Sequence, residues 1–166
     1  MRNPTYHVKN LKIFRGMEGQ GFNATLYLGK QRLGTVIDDA SGGPVVFNLS
    51  PEDRNALDEY VQSLPDITCT FNDPDTGKPA TLKPSADLFV SKLVNRTDRL
   101  KQIKKILKKP TMLVVLDKGD VFKIEYMREV NTKILTDYQK TYPDHFVFNG
   151  LTDDEIIDAL ESHGLC

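Results

Sequence analysis

Cysteine is scarce in this chain, and so are histidine, net charge and long apolar runs. Its 166 residues include two cysteines and three histidines. Cys69, in a predicted strand, and Cys166, at the last position, make no disulfide framework. No Cys/His set has zinc-ligand spacing, and no pair among His7, His145 and His163 has the i, i+4 geometry of a helical metal site, so all three are expected to be isolated surface residues. The longest apolar stretch, Met112-Leu113-Val114-Val115-Leu116, falls far short of the roughly 20 residues that span a bilayer. The N-terminus also lacks the apolar core of a signal peptide. Together these absences predict a protein of a reducing cytoplasm with no membrane association. Phosphate-binding glycine motifs of the Walker or dinucleotide type are missing. Ser41 lacks the strand–turn–helix context of a nucleophile elbow, and Cys69 has no local basic activator. No catalytic residue, cofactor or resident metal is predicted.

What is present suffices for one core. Hydrophobic residues make up 39% and charged residues 27% of the chain, which predicts a single domain over 1–166, or two packed lobes divided into a β-rich 1–83 and a helical 84–166. Leu11 to Phe14 reads as a short strand. Phe22, Ala24, Leu26 and Leu28 alternate with Asn23, Thr25 and Tyr27, the period-2 pattern of a strand with one buried face. Gly29-Lys30 fits a two-residue hairpin turn, and Gln31 to Ile37 the returning strand. Ser50-Pro51-Glu52-Asp53 is a helix start, with a serine cap, proline where its missing N–H costs nothing, and an acid at the third position. Ala56, Leu57, Tyr60, Val61 and Leu64 then share a face, and Pro65 closes the helix.

Ile67 to Phe71 predicts another strand, Asp73 to Gly77 a turn, and Lys78 to Pro84 a proline-punctuated connection. From Ser85 a stripe of Phe89, Leu93, Leu100, Ile103 and Leu107 predicts a long helix ending before Pro110, with Asn95 to Asp98 as its weakest stretch. Thr111 to Leu116 is a β-branched apolar run, as in a central strand covered on both faces. Val121 to Met127 follows as a half-exposed strand, then a helix capped by Asn131, a short strand Phe146 to Phe148, and a last helix opened by the capping box Thr152 to Glu155. Gly164 stands where a helix-ending glycine belongs. The fold class predicted is α+β: an N-terminal antiparallel hairpin sheet with a helix, a long basic helix, and a β-β-α-β-α C-terminal half built on a mixed sheet.

The chemistry concentrates in the long helix. The overall net charge of −1 speaks against a generally basic nucleic-acid binder, yet it averages over a strong asymmetry. Eight bases between Ser85 and Lys109 face two acids, Asp87 and Asp98, a net of +6 that leaves the rest of the chain at −7. Arg96, Lys101, Lys104, Lys105, Lys108 and Lys109 form the candidate binding face. Such a stripe can track phosphates with salt-sensitive affinity, or meet an acidic protein surface, including the chain's own Asp153, Asp154, Glu155, Asp158 and Glu161. It is also what a solvated helix needs, since lysines near a C-terminus complement the helix dipole. Asp38, Asp39, Gly42 and Gly43 form a second candidate contact, a loop able to approach a cation or ligand, or simply a strand exit. Asp73 and Asp75 have the spacing of the paired aspartates in magnesium-dependent phosphotransferases and define a phosphoesterase alternative. Their mid-chain position with Pro74 between them reads better as a β-turn.

The block Lys9-Asn10-Leu11-Lys12, then Phe22 to Lys30, then Gly34 and Asp38 to Gly43, resembles the opening of small uncharacterised proteins carried by bacteriophages and bacterial mobile elements. The resemblance covers about the first third of the chain. Those proteins often carry a Gly-His-Gly-Gly loop after the hairpin, where this chain has Ala40-Ser41-Gly42-Gly43. The resemblance implies an accessory protein of a bacterial cytoplasm that binds and inhibits a host protein, such as an antiviral defence complex. Nucleic-acid binding through the basic helix is the alternative from a different class.

Overall fold

A computed structural model describes residues 5–165, and the chain divides between Val94 and Asn95 into two compact units. The division falls inside the long helix, C-terminal of the 83/84 boundary expected from the prolines. The fold is α+β, and every paired strand among the described residues is antiparallel.

In the first unit, β1 (Tyr6–Gly16), β2 (Gly19–Leu28), β3 (Gln31–Asp38) and β4 (Val46–Asn48) form a sheet in sequence order. Strand β1 is much longer than Leu11 to Phe14, because Tyr6 and Val8 already pack in the core. A bulge between Lys9 and Lys12 hides their alternation in the sequence. Asn10 absorbs it at φ 54°, a left-handed value asparagine tolerates better than most residues. One sheet face is apolar: Val8, Phe22, Ala24, Leu26 and Val36 join Leu57 and Val61 of α1 (Pro51–Gln62) and Val90 and Leu93 of α2 (Ala86–Leu107). Helix α1 begins as expected, Ser50 Oγ accepting from the Asp53 N–H at 3.1 Å. Its buried stripe is narrower than predicted: Leu57 and Val61 are buried, Ala56 is exposed, and Tyr60 lies at the rim against Tyr6 and Phe89, with ring centres 5.0 and 5.6 Å away. Strands β5 (Ile67–Asn72) and β6 (Pro79–Leu82) make a separate hairpin. Pro79 sits at the first residue of β6, where a missing N–H is tolerated, which is why the stretch expected as a connection is a strand.

Helix α2 runs 22 residues without a break at Asn95 to Asp98. Its second half belongs to the second unit, with β7 (Met112–Asp117), β8 (Asp120–Glu125), α3 (Thr132–Thr141), β9 (Phe146–Val147) and α4 (Asp153–Ser162). The sheet order is β8-β7-β9, which corrects the mixed sheet expected. The crossover through α3 does bring β9 back in the direction of β8, but β7 lies between them and opposes both. As predicted, β7 is covered on both faces. Val114 and Leu116 pack with Ile103, Ile156 and Leu160, while Leu113 and Val115 pack with Tyr138. Asn149 extends the ladder past β9 with its side chain, accepting from the Val114 N–H and donating to the Met112 carbonyl, both at 2.8 Å. At α4, Thr152 and Glu155 satisfy each other's backbone N–H groups. Gly164, at φ 68°, closes the helix with paired bonds from the Gly164 and Leu165 N–H groups to the Glu161 and Leu160 carbonyls.

Candidate functional site

The C-terminal half of α2 buries Ile103 against α4 and turns its bases elsewhere. Lys101, Lys105 and Lys108 recur at i, i+4 and i+7, so they share the side opposite Ile103, and all three are exposed, as are Lys104 and Lys109. Two of the six predicted basic residues meet the acidic helix. Lys104 Nζ lies 2.7 Å from Asp153 Oδ2, and Arg96 lies 3.6 Å from Glu161 Oε1. Because the earlier base meets the later acid, α2 and α4 run antiparallel. Both pairs are about half to one-third exposed, so each contributes little beyond fixing this alignment. Lys101, Lys105, Lys108 and Lys109 have no ion-pair partner among the described residues. They form a narrow cationic ridge of about 12 Å, nine residues at helical rise, bordered on the α4 side by carboxylates.

The loop after β3 spends its carboxylates on itself. Asp38 Oδ1 accepts from the Ala40 N–H at 2.9 Å, and Asp39 Oδ1 accepts from the Ser41 N–H at 3.0 Å and its hydroxyl at 2.6 Å. The Ser41 bonds hold the Asp39 carboxyl below its usual range. The Ala40 carbonyl accepts from the Glu18 N–H at 2.9 Å. Gly42 has φ 79°, and a Cβ there would collide with the Glu18 carboxylate, whereas Gly43 is exposed and uncrowded. The arrangement is a self-bonded strand exit.

Asp73 behaves alike. Its Oδ1 accepts from the N–H groups of Asp75 and Thr76 at 2.9 and 2.8 Å and from the Thr76 hydroxyl at 3.1 Å. Those bonds, the Thr76 backbone first, lower its carboxyl below the ordinary value. Asp73 and Asp75 thus stand in an exposed turn. Among the described residues no three His, Cys, Asp or Glu side chains gather as a metal site would require.

One constellation escaped the sequence reading. His145 was expected to be isolated, yet its Nδ1 lies 2.7 Å from the Tyr138 hydroxyl and its Nε2 3.6 Å from Asp117 Oδ2, while the Tyr142 ring stacks on it at 5.0 Å. Gln139 Nε2 pins the loop by donating to the carbonyls of Tyr142, Pro143 and His145 at 3.3, 3.2 and 2.9 Å. The Tyr138, Tyr142, His145 spacing was visible as a helical i, i+4, i+7 pattern; the reach to Asp117 on β7 was not. Burial, followed by the neighbouring Tyr142, raises the Tyr138 phenol above its usual value. That shift favours the protonated phenol, which hydrogen-bonds with the His145 ring. His145 also borders a shallow depression of about 430 Å³ with Asp144, Phe146 and His163. The His163 ring is occupied capping α4, its Nδ1 2.8 Å from the Ala159 carbonyl.

No helix among the described residues is long and apolar enough to cross a membrane. No protein-family model, curated protein or solved structure matches this chain.

Proposed function

We propose that this is a phage-type accessory protein that binds a bacterial host protein stoichiometrically and inhibits it, an antiviral defence complex being the target class the N-terminal resemblance implies. The observation that carries the reading is the ridge of Lys101, Lys105, Lys108 and Lys109. These are solvent-facing cations with no ion-pair partner among the described residues, at the end of a helix whose Arg96 and Lys104 pair with α4. Its partner is a protein with a compact acidic patch. Nucleic acid fits the same ridge less well, because phosphates following it would run beside the exposed Asp153, Glu155 and Asp158 of α4. The phosphoesterase alternative has little support, since Asp73 already accepts three hydrogen bonds within its own turn.

The test is affinity purification of the full chain from bacterial lysate, beside a variant carrying Lys101→Glu, Lys105→Glu, Lys108→Glu and Lys109→Glu. A stoichiometric partner with an acidic surface, lost on charge reversal while the thermal midpoint stays put, supports the reading. Absence of any such partner, together with turnover of nucleotides or phosphoesters by the purified protein, overturns it.

A further inference from the structure

The open face of the first unit's sheet is cationic, as the end of α2 is, but carries no carboxylates among its cations. Strand register places His7, Tyr27 and Arg32 in one cross-strand row on the face away from the core. Lys9, Thr25, Thr35 and Asn48 form the next row, and Lys12 and Asn23 begin a third. Rows are about 7 Å apart, two residues along a strand. Lys9, Lys12 and Arg32 are exposed. No Asp or Glu occupies any position in these rows, although Met1–Val94 as a whole holds ten Lys and Arg against eleven Asp and Glu, a net of −1. The absence of acid therefore belongs to this face and not to the composition of the unit.

Its other groups are those that recognise nucleobases. The His7 and Tyr27 rings stack at 5.5 Å and 17°, and Lys9 Nζ lies 4.9 Å from the Tyr27 ring centre. Hydroxyls and amides fill the middle row: Asn48 Nδ2 donates to Thr35 Oγ1 at 3.2 Å, and Asn10 Nδ2 donates to Thr25 Oγ1 at 3.4 Å. Within this row Thr25 is buried, at 7% exposure, between the exposed Lys9 and the half-buried Thr35, with the exposed Asn48 at its end.

We propose that this face binds single-stranded nucleic acid. Lys9, Lys12 and Arg32 contact phosphates, the His7–Tyr27 pair stacks bases, and the Thr35–Asn48 amide and hydroxyl meet base edges. Lys9 makes the exchange that opens the platform, its ammonium leaving the Tyr27 ring for a phosphate as a base takes its place. A duplex keeps its base faces covered and cannot use the rings. An acidic protein segment would satisfy the cations and leave the rings idle. This inference goes beyond the protein-target reading, which rests on α2, and the two stand or fall separately.

The test is fluorescence anisotropy of the full chain with labelled oligo-dT, oligo-rU and a duplex of equal length. Single strands should bind more tightly than duplex. Three phosphate contacts give a salt slope near −2, so affinity should fall about twentyfold between about 50 and about 200 mM salt. Tyr27→Ala should weaken binding about tenfold, the effect of losing one stacked base, while Tyr27→Phe keeps the ring and wild-type affinity. Joint Lys9→Glu, Lys12→Glu and Arg32→Glu should abolish binding at an unchanged thermal midpoint. Reversal of the four α2 ridge lysines should leave it intact. The proposal is overturned if single strands do not bind at low salt, if duplex binds equally well, or if Tyr27→Ala and the triple reversal have no effect. Loss of binding on reversal of the α2 ridge, or binding of polyglutamate in place of oligonucleotide, overturns it too.

Discussion

Replacing Asn149 by alanine isolates what one side chain does for the central strand of the second unit. Its amide serves two backbone groups of β7, the N–H of Val114 and the carbonyl of Met112, each at 2.8 Å. Val114 is 0% and Met112 7% exposed, so water cannot readily replace the lost partner. Each orphaned group costs about 1–3 kcal/mol, which gives about 2–6 kcal/mol for the two groups left by Asn149→Ala, a large part of a typical domain's stability. Asn149→Asp keeps the acceptor but sets a carboxylate oxygen against the Met112 carbonyl. At neutral pH it should be at least as damaging as alanine, and acidification should partly relieve it by restoring a donor. Because the chain forms two compact units, a local readout is needed: hydrogen exchange at the Val114 amide, followed beside urea unfolding. The expected result is faster Val114 exchange and a lower urea midpoint in both variants. Unchanged exchange and midpoint in Asn149→Ala would refute the claim that this side chain completes the ladder.

Other expectations follow from the same geometry. A double-mutant cycle on Lys104 and Asp153 should return a coupling of about 0.2–1 kcal/mol, because both ends are about half exposed; a value above about 2 kcal/mol would mean the pair is desolvated. Thr152→Ala should cost about 1 kcal/mol in urea unfolding by removing the α4 capping box, and no cost would mean the cap is redundant. Asp39, Asp73 and Glu155 have folded carboxyls lowered by hydrogen bonds. The stability they add is present above their unfolded values and is lost as pH falls through the folded ones. The thermal midpoint should therefore drop below about pH 4, less steeply in Asp73→Asn, which keeps an acceptor without a titrating charge. An identical acid limb in that variant would remove Asp73 from the account.

What the sequence revealed was local. Ser50, Asn131 and Thr152 cap helices through atoms within three residues of themselves, and Gly29-Lys30 needed only its own turn to join β2 and β3. What stayed hidden needed distant partners or broken periods. The strand was legible only from Leu11 because the bulge at Asn10 breaks the alternation that Tyr6 and Val8 begin. The C-terminal sheet looked mixed because the chain order β8-α3-β9 does not say which strand lies between. On the candidate ridge, the sequence supplied the six bases and even the acidic helix as one of several occupants. Only packing of Ile103 against α4 decides that Arg96 and Lys104 are paired and the remaining four are not. His145 needed both α3 and β7 in place before its neighbours met.

The near-neutral net charge conceals these surfaces for a physical reason. Carboxylates are short and accept hydrogen bonds from backbone N–H groups, so several of the chain's acids are taken up where the backbone turns. Asp38, Asp39, Asp73 and Glu155 each bond backbone N–H groups in their own turn or cap. Others hold a base in place, as Asp58 holds Arg54 at 2.9 Å. Lysine has no acceptor to offer a turn and a long stem that favours solvent. Acids in turns thus become structural while lysines such as Lys101 and Lys105 stay exposed, and a chain at −1 still presents cationic ground to a partner. The hydrogen bonds that recruit Asp39, Asp73 and Glu155 also keep them ionised to lower pH. Mild acidification consequently leaves this polarity intact until the turns themselves begin to fail.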